Sequence, residues 1–221
     1  MTITQFNASH AAGYAERPFA QVPGLQGLHW MMSQLLAEHV SEQGRILVLG
    51  AGGGLELRAL AQDHPQWRFD GVDPSSPMLD LAREIAADHL ERITLHQGLI
   101  DIAPPGPFDG ATCLLTFHFI EREQRLDTLR AIRQRLKPGA PLILAHISVT
   151  QAEPERSRWL KRHVLFGGGD AAKLSEAAET MATRLTILAP EEEEAMLAEA
   201  GFTGIELFYA ALTFRGWVAY G

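Results

Sequence analysis

Between Arg45 and Ser148 two hydrophobic patterns alternate along the chain. Short apolar runs rich in β-formers recur at Ile46 to Leu49, Phe69 to Val72, Ile93 to His96, Ala111 to Leu115 and Leu142 to Ala145. Runs with helical spacing separate them, near Leu55 to Gln62, Pro77 to His89 and Arg122 to Arg135. Such alternation predicts βαβ units, and therefore an α/β, doubly wound, mostly parallel sheet with helices on both faces. In the second helical run Met78, Leu81, Ala82, Ile85 and His89 fall on one face, with Ser75 or Ser76 as cap and Pro77 in the first turn. Lys137-Pro138-Gly139 stops the third. Two β-like runs, Ile205 to Ala210 and Phe214 to Tyr220, end the sequence only a few residues apart and predict an antiparallel hairpin.

The flanks follow other rules. Residues 1–44 hold a helix around Leu28 to His39 behind a Pro/Gly-punctuated segment, Arg17-Pro18 to Pro23-Gly24, and read as an N-terminal helical lid ahead of a domain over 45–221. Within that domain, about 150–185 form a polar, helix-prone insertion broken at Gly167-Gly168-Gly169. Pro190 followed by Glu191 to Glu194 suits a helix start, with the acids expected in solvent rather than in a binding site.

Composition narrows the picture. A chain of 221 residues with 46% hydrophobic content is sized for one substantial core. No apolar run approaches the ~18 residues of a membrane span. Met1 to His10 lack a signal-peptide profile, so a cytoplasmic protein is expected. A net charge of -8, with no basic stripe, argues against a nucleic-acid partner. Cys113, the single cysteine, lies in an apolar run and reads as a buried bystander. No metal-ligand spacing occurs.

The chemistry concentrates after the first strand, in Gly50-Ala51-Gly52-Gly53-Gly54. Glycines let a ligand approach the backbone, and the amides of a helix start attract polar ligand atoms. Strand, glycine turn and helix in this order form a nucleotide-type cofactor site; the plainer alternative is a tight turn packed for its own sake. A dinucleotide fingerprint needs a third glycine at position 55, where this chain has Leu55. Asp73, ending the second strand, can accept hydrogen bonds from a ribose diol or simply cap the next helix.

These segments together resemble class I S-adenosylmethionine (SAM)-dependent methyltransferases over roughly residues 40–221. The matching elements are Ile46 to Gly54, Gly71-Val72-Asp73-Pro74-Ser75 with Met78-Leu79, Phe108-Asp109-Gly110, Leu136 to Ala140 and Ala200-Gly201-Phe202. The resemblance implies a Rossmann-like seven-stranded sheet, SAM as cofactor and a small-molecule substrate, with a homodimer as the assembly. It places Gly50, Ala51, Gly52 and Gly54 against the methionine part of SAM, Asp73 on the ribose and Pro74 with Met78 on the adenine face. Gly98, Leu99 and Ile100 would line the adenine, and Leu115 or Thr116 would sit beneath the sulfonium. Two departures stand out: many relatives carry an acid where this chain has Val48, and another where it has Leu99. The cofactor's amino groups must then find other partners. The Val22-Pro23-Gly24 segment, the insertion and the C-terminal run also resemble carboxy-SAM synthase, but the arginine that grips the extra carboxylate there aligns with Glu179, and Arg184 follows a few residues on.

Methyl transfer starts from an activated sulfonium, so the protein mainly orients and desolvates, and a base is needed only when the acceptor must lose a proton. His118, just after the fourth strand, is the first choice for substrate contact or base, with a structural hydrogen bond as the alternative; His146 is the second. Tyr14 and Arg17 precede Pro18 in a pattern that resembles the lid of small-molecule relatives, where such residues reach the cofactor carboxylate or the acceptor; a surface pair with Tyr14 packed on the core is the alternative. Trp30, Met31, Trp159, Phe166 and Phe208 are candidates for the acceptor pocket wall, though such residues commonly serve as core. Besides methyl transfer, carboxy-SAM synthesis, non-catalytic SAM binding and, more distantly, an NAD-dependent oxidoreductase remain open.

Overall fold

Alternate side chains of each central strand point to opposite faces, and the hydrophobic core divides accordingly. The computed structural model describes residues 17–221. Its strands are β1 (Arg45–Leu49), β2 (Arg68–Asp73), β3 (Ile93–Gln97), β4 (Gly110–Leu114), β5 (Pro141–Ile147), β6 (Thr203–Ala211) and β7 (Phe214–Tyr220). The helices are α1 (Arg17–Gln21), α2 (Leu25–Ala37), α3 (Leu55–Asp63), α4 (Ser76–Ile85), α5 (Arg122–Arg133), α6 (Glu155–Phe166), α7 (Leu174–Arg184) and α8 (Pro190–Glu199). Ile46 and Val48 of β1 pack with α2 and α3 through Leu28, Met32, Leu36, Leu57 and Leu60. Leu47 and Leu49 face the other way, toward Leu129 and Ile132 of α5 and Leu197 of α8.

The seven strands lie in the order β3-β2-β1-β4-β5-β7-β6. β1 to β5 run parallel, and β7 runs antiparallel to both β5 and β6. This is the doubly wound, Rossmann-like sheet with a C-terminal hairpin that the patterning predicts. Strand order reverses between β1 and β4, so the carboxyl ends of these two strands open a crevice, the usual ligand position in such sheets.

Local details depart from the periodicity. The predicted face of α4 is rotated: Met78, Leu79 and Ala82 are buried, whereas Leu81 and Ile85 are half-buried. His89 falls beyond the helix, in a 3-10 turn over Ala87–Arg92. β4 stops at Leu114 because Leu115 adopts a left-handed backbone, φ 55°, which turns the chain over the crevice. The insertion forms α6 and α7, broken after Phe166 by Gly167 to Gly169. Leu160 and Ala178 of the insertion belong to the same buried cluster as Ile143, Ala145 and Ile147 of β5.

The acidic start of α8 is the clearest correction. Pro190 does open the helix, but Glu193 is 1% exposed rather than solvated. Its carboxylate ion-pairs with Arg125 of α5 and lies 2.9 Å from His146 Nε2 on β5. Arg125, itself fully buried, also donates to the carbonyls of Ile120 and Thr186. One guanidinium thus ties the loop after β4 to the chain returning from the insertion. Burial pushes the Glu193 carboxyl up, but the charges and hydrogen bonds of His146 and Arg125 outweigh it and hold it below the usual carboxylate range. Its stabilising contribution is therefore complete above that range and disappears as pH falls through the lowered value. Glu193→Ala is expected to lower unfolding free energy by about 3–5 kcal/mol by stranding Arg125. Glu123→Ala, an exposed position on α5, should change it by less than about 0.5 kcal/mol. Urea denaturation of the two variants checks this.

Candidate functional site

The end of β2, the loop after β4 and helix α4 converge on the glycine turn because positions 50, 52 and 54 have no side chain. A Cβ on Gly50 would fall 1.9 Å from Thr116 Oγ1, and φ at Gly50 is 79°. On Gly52 it would meet Asp73 Oδ2 at 2.6 Å and Met78 Cβ at 2.8 Å; on Gly54, the Ala82 backbone at 2.8 Å. Gly50 and Gly54 also use the left-handed region that favours glycine. The five turn amides all donate inside the fold: Gly50 and Ala51 to Val72 O, Gly52 to Asp73 Oδ2, Gly53 to Met78 O and Gly54 to Ala51 O. The turn therefore offers a ligand close backbone approach rather than the free amides expected of it.

Asp73 receives the Gly52 amide at 3.0 Å on Oδ2 and the Ser75 amide at 2.8 Å on Oδ1. It caps the following turn and braces the glycine turn at once, and each oxygen retains a lone pair for a diol. Burial raises its pKa, with the two amides drawing it partly back. The Gly98 amide donates to Asp73 O at 3.1 Å, which sets Gly98, Leu99 and Ile100 beside Asp73 and Pro74 at the carboxyl ends of β3 and β2.

A narrow cleft beside the turn is lined by Gly50, Ala51, Gly52, Gly54, Leu55, Glu56, Leu114 and Leu115, with Pro18, Leu25 and His29 closing it from α1 and α2. Glu56 and His29 escaped the sequence reading. Glu56 is 8% exposed, and its Oε1 has no hydrogen-bond partner. Burial pushes its pKa up to about 8, with the Thr112 hydroxyl drawing it partly back. Burial, with the Arg58 charge, lowers His29 to about 4, so its ring is neutral at pH 7.

Next to this cleft lies a cavity of ≈ 290 Å³, sharing Pro18 and Leu115 with it. Its walls come from α1 (Arg17, Gln21), the loop after β4 (His118, Phe119), Ile147, His163 of α6, Leu185 and Phe214. Of the sequence-predicted residues, Leu115 lines both spaces, Arg17 and His118 line the cavity, and Thr116 supports Gly50. Tyr14 lies outside the described residues. Trp30, Met31, Trp159, Phe166 and Phe208 line neither space. Trp30 is 63% exposed, and Met31, Trp159 and Phe208 pack against the core.

His118 Nδ1 accepts the Ile147 amide at 3.4 Å, so a neutral ring carries its proton on Nε2. Burial, then the charges of His146, Arg125 and His163, hold its pKa well below the ordinary range. It is a hydrogen-bond donor rather than a base. His163, missed in the sequence, is also lowered by burial, and its Nδ1 lies 2.6 Å from Thr213 Oγ1. His146 is fully buried against Glu193 and does not line the cavity.

Residues 47–142 match the family model described as a methyltransferase domain. A carboxy-S-adenosyl-L-methionine synthase from Chromohalobacter salexigens is 26% identical over 90% of this chain and 76% of its own length. The solved structure of an O-methyltransferase family protein from Burkholderia thailandensis shares the fold with a TM-score of 0.67 at 12% identity, over 97% of this chain. Human N-acetylserotonin methyltransferase in complex with SAM gives 0.62 at 13% identity, again over 97%. This chain spans 60% and 56% of those two chains.

Gly52→Ala is expected to fold but to displace the Asp73 carboxylate, so that S-adenosylhomocysteine (SAH) no longer raises the melting temperature. Gly27→Ala, where a Cβ meets nothing within 4 Å on α2, should add about 0.5–1 kcal/mol and leave the SAH response intact. Differential scanning fluorimetry with and without SAH reads both.

Proposed function

We propose that this chain, a class I SAM-dependent methyltransferase by its fold and its methyltransferase domain, transfers the methyl group to a small organic acceptor held in the ≈ 290 Å³ cavity. The observation that carries this reading is the shared wall: Pro18 and Leu115 border both the glycine cleft and the cavity. A donor group in one space then meets a nucleophile in the other. The residues fit SAM through the side-chain-free cradle at Gly50, Gly52 and Gly54, the lone pairs of Asp73, and the buried Glu56 carboxyl, whose Oε1 has no hydrogen bond. When bound, SAM supplies a sulfonium-activated methyl group.

The chain's own residues orient and desolvate. Val22, Phe119, Ile147, Leu185 and Phe214 give the cavity an apolar wall that excludes water around the acceptor. His118 Nε2–H serves as donor to an acceptor oxygen or nitrogen. His163, neutral and with its Nδ1 engaged by Thr213, takes up the acceptor's proton when one must leave. Arg17, at the mouth, suits an acceptor with an anionic group. The lid role of residues 1–44 and the insertion is part of this reading, with α1 and α6 both contributing to the cavity wall. So is a cytoplasmic site of action, where SAM is available; among the described residues no helix is long and apolar enough to cross a membrane.

Carboxy-SAM synthesis is the second reading, favoured by the Chromohalobacter relative. Against it, Glu179 is exposed, neither it nor Arg184 lines the cavity, and Arg17 is the cation that does. That reading requires carboxy-SAM to bind more tightly than SAM.

With SAH at about 100 times its dissociation constant, the folded state should gain about 2.7 kcal/mol, and NAD at the same concentration should add nothing. Stabilisation by NAD alone would sink the proposal. Among acceptors that lose a proton, His163→Gln is expected to reduce kcat by about 10²-fold or more. His118→Gln, which keeps a donor, should act mainly on KM; steady-state kinetics on an acceptor panel separates the two.

A further inference from the structure

The unsatisfied carboxyl oxygen of Glu56 in the glycine cleft has a specific use, and the inference rests on the SAM reading of that cleft. A buried carboxyl oxygen without a hydrogen bond is costly unless a ligand completes it. Glu56 Oε1 is in that condition in the wall of the cleft, beside Gly50, Ala51, Gly52 and Gly54. Its polar neighbour is the Thr112 hydroxyl, close enough to draw the Glu56 pKa partly back but not placed to complete a hydrogen bond to Oε1. Thr112 is the register partner of Val48 on the adjoining strand, so the two side chains share a face of the sheet. The Glu56 carboxyl, reaching Thr112 from α3, therefore lies next to the position at which the resemblance leads one to expect an acid and finds Val48.

We infer that Glu56 receives the ammonium group of the cofactor's amino-acid portion, replacing from the helix the carboxylate that β1 lacks at Val48. The arrangement of the two spaces selects the ammonium over the sulfonium. The sulfonium must face the acceptor cavity, which touches the cleft at Pro18 and Leu115, and Glu56 does not line that cavity. Asp73 takes the opposite, ribose end. What remains for Glu56 is the amino-acid head. An ammonium supplies the missing donor and the opposite charge together, which makes this a charge-assisted contact in a place closed to water.

Protons report the event. The titratable neighbours of Glu56 are His29 of α2, lowered to about 4, and Cys113 of β4, raised by burial and by Glu56 itself. Arg58 acts on His29 from α3. Both neighbours are neutral at pH 7, and Glu56, raised to about 8, holds its proton in the empty cleft. An arriving ammonium favours the carboxylate, so the proton is released on binding. Affinity for SAH should then rise with pH between 6 and 8 and level off above.

The test compares SAH with 5′-methylthioadenosine, which has the same nucleoside and thioether but no amino-acid head. Isothermal titration calorimetry should show Glu56→Gln weakening SAH by about 10- to 100-fold while methylthioadenosine changes by less than about twofold. The variant should also lose the pH dependence and the proton release, seen as a binding enthalpy that no longer varies with buffer ionisation. Its melting temperature without ligand should stay close to that of the parent at pH 7, because one uncharged buried polar group replaces another of the same shape. The double variant Val48→Asp with Glu56→Gln should recover SAH affinity, since the acid returns to the same face of the sheet. Unchanged SAH affinity in Glu56→Gln, or equal losses for both ligands, overturns the inference and leaves the SAM reading standing. Failure of the parent protein to bind either ligand overturns the SAM reading itself.

Discussion

The absence of side chains at 50, 52 and 54 is the constraint on which the rest of the molecule depends. Because no Cβ intervenes, Thr116, Asp73 and Ala82 approach the β1–α3 turn to distances that any other residue would block. The approach of Thr116 brings the loop after β4 over the crevice, and the left-handed Leu115 then forms the wall between cleft and cavity. The approach of Asp73 fixes its carboxylate through the Gly52 and Ser75 amides. A single local freedom in the chain thus creates the cleft, orients the Asp73 carboxylate beside it and sets the distance to the second space.

Three acids are buried among the described residues, Glu56, Asp70 and Glu193, and the surroundings of the two on helices give those two opposite roles. Glu193 is saturated by Arg125 and lies beside His146, and that knot joins α5, α8 and β5 while holding Ile120 and Thr186. It stabilises the frame behind His118. Glu56 has no such partner, and its uncharged form is favoured until a cation arrives. A paired buried charge is structural; an unpaired one in a cleft is a binding group. The contrast separates two acids that look alike in sequence, each near the start of a helix.

Much of the fold was legible because its signals are local. Period-two and helical patterns located the strands and helices, and Leu55 in place of a third glycine turned the cofactor from NAD toward SAM. What stayed hidden depends on contacts between distant segments. Glu193 reads as one of four consecutive acids at a helix start, and only the packing of α8 on α5 reveals that this one faces inward. Glu56 reads as a favourable acid in a first helical turn, although the missing acid at Val48 was a signal that a replacement should be sought nearby. His163 sits in a polar, amphipathic insertion whose contact with Thr213 and Phe214 no spacing announces. Of the two fates open to the aromatic candidates, Trp159 and Phe208 took the commoner one and pack on the core, and the aromatic residues that do line the ≈ 290 Å³ cavity are Phe119 and Phe214.

The crystal structure of the protein with SAH bound tests the central claim most directly. The account predicts adenosine along Gly98 to Ile100 with its ribose hydroxyls on Asp73, the amino-acid head against the glycine turn and Glu56, and the sulfur facing the cavity beside Leu115. A ligand in the reverse orientation, or one bound outside the β1–α3 crevice, would contradict it.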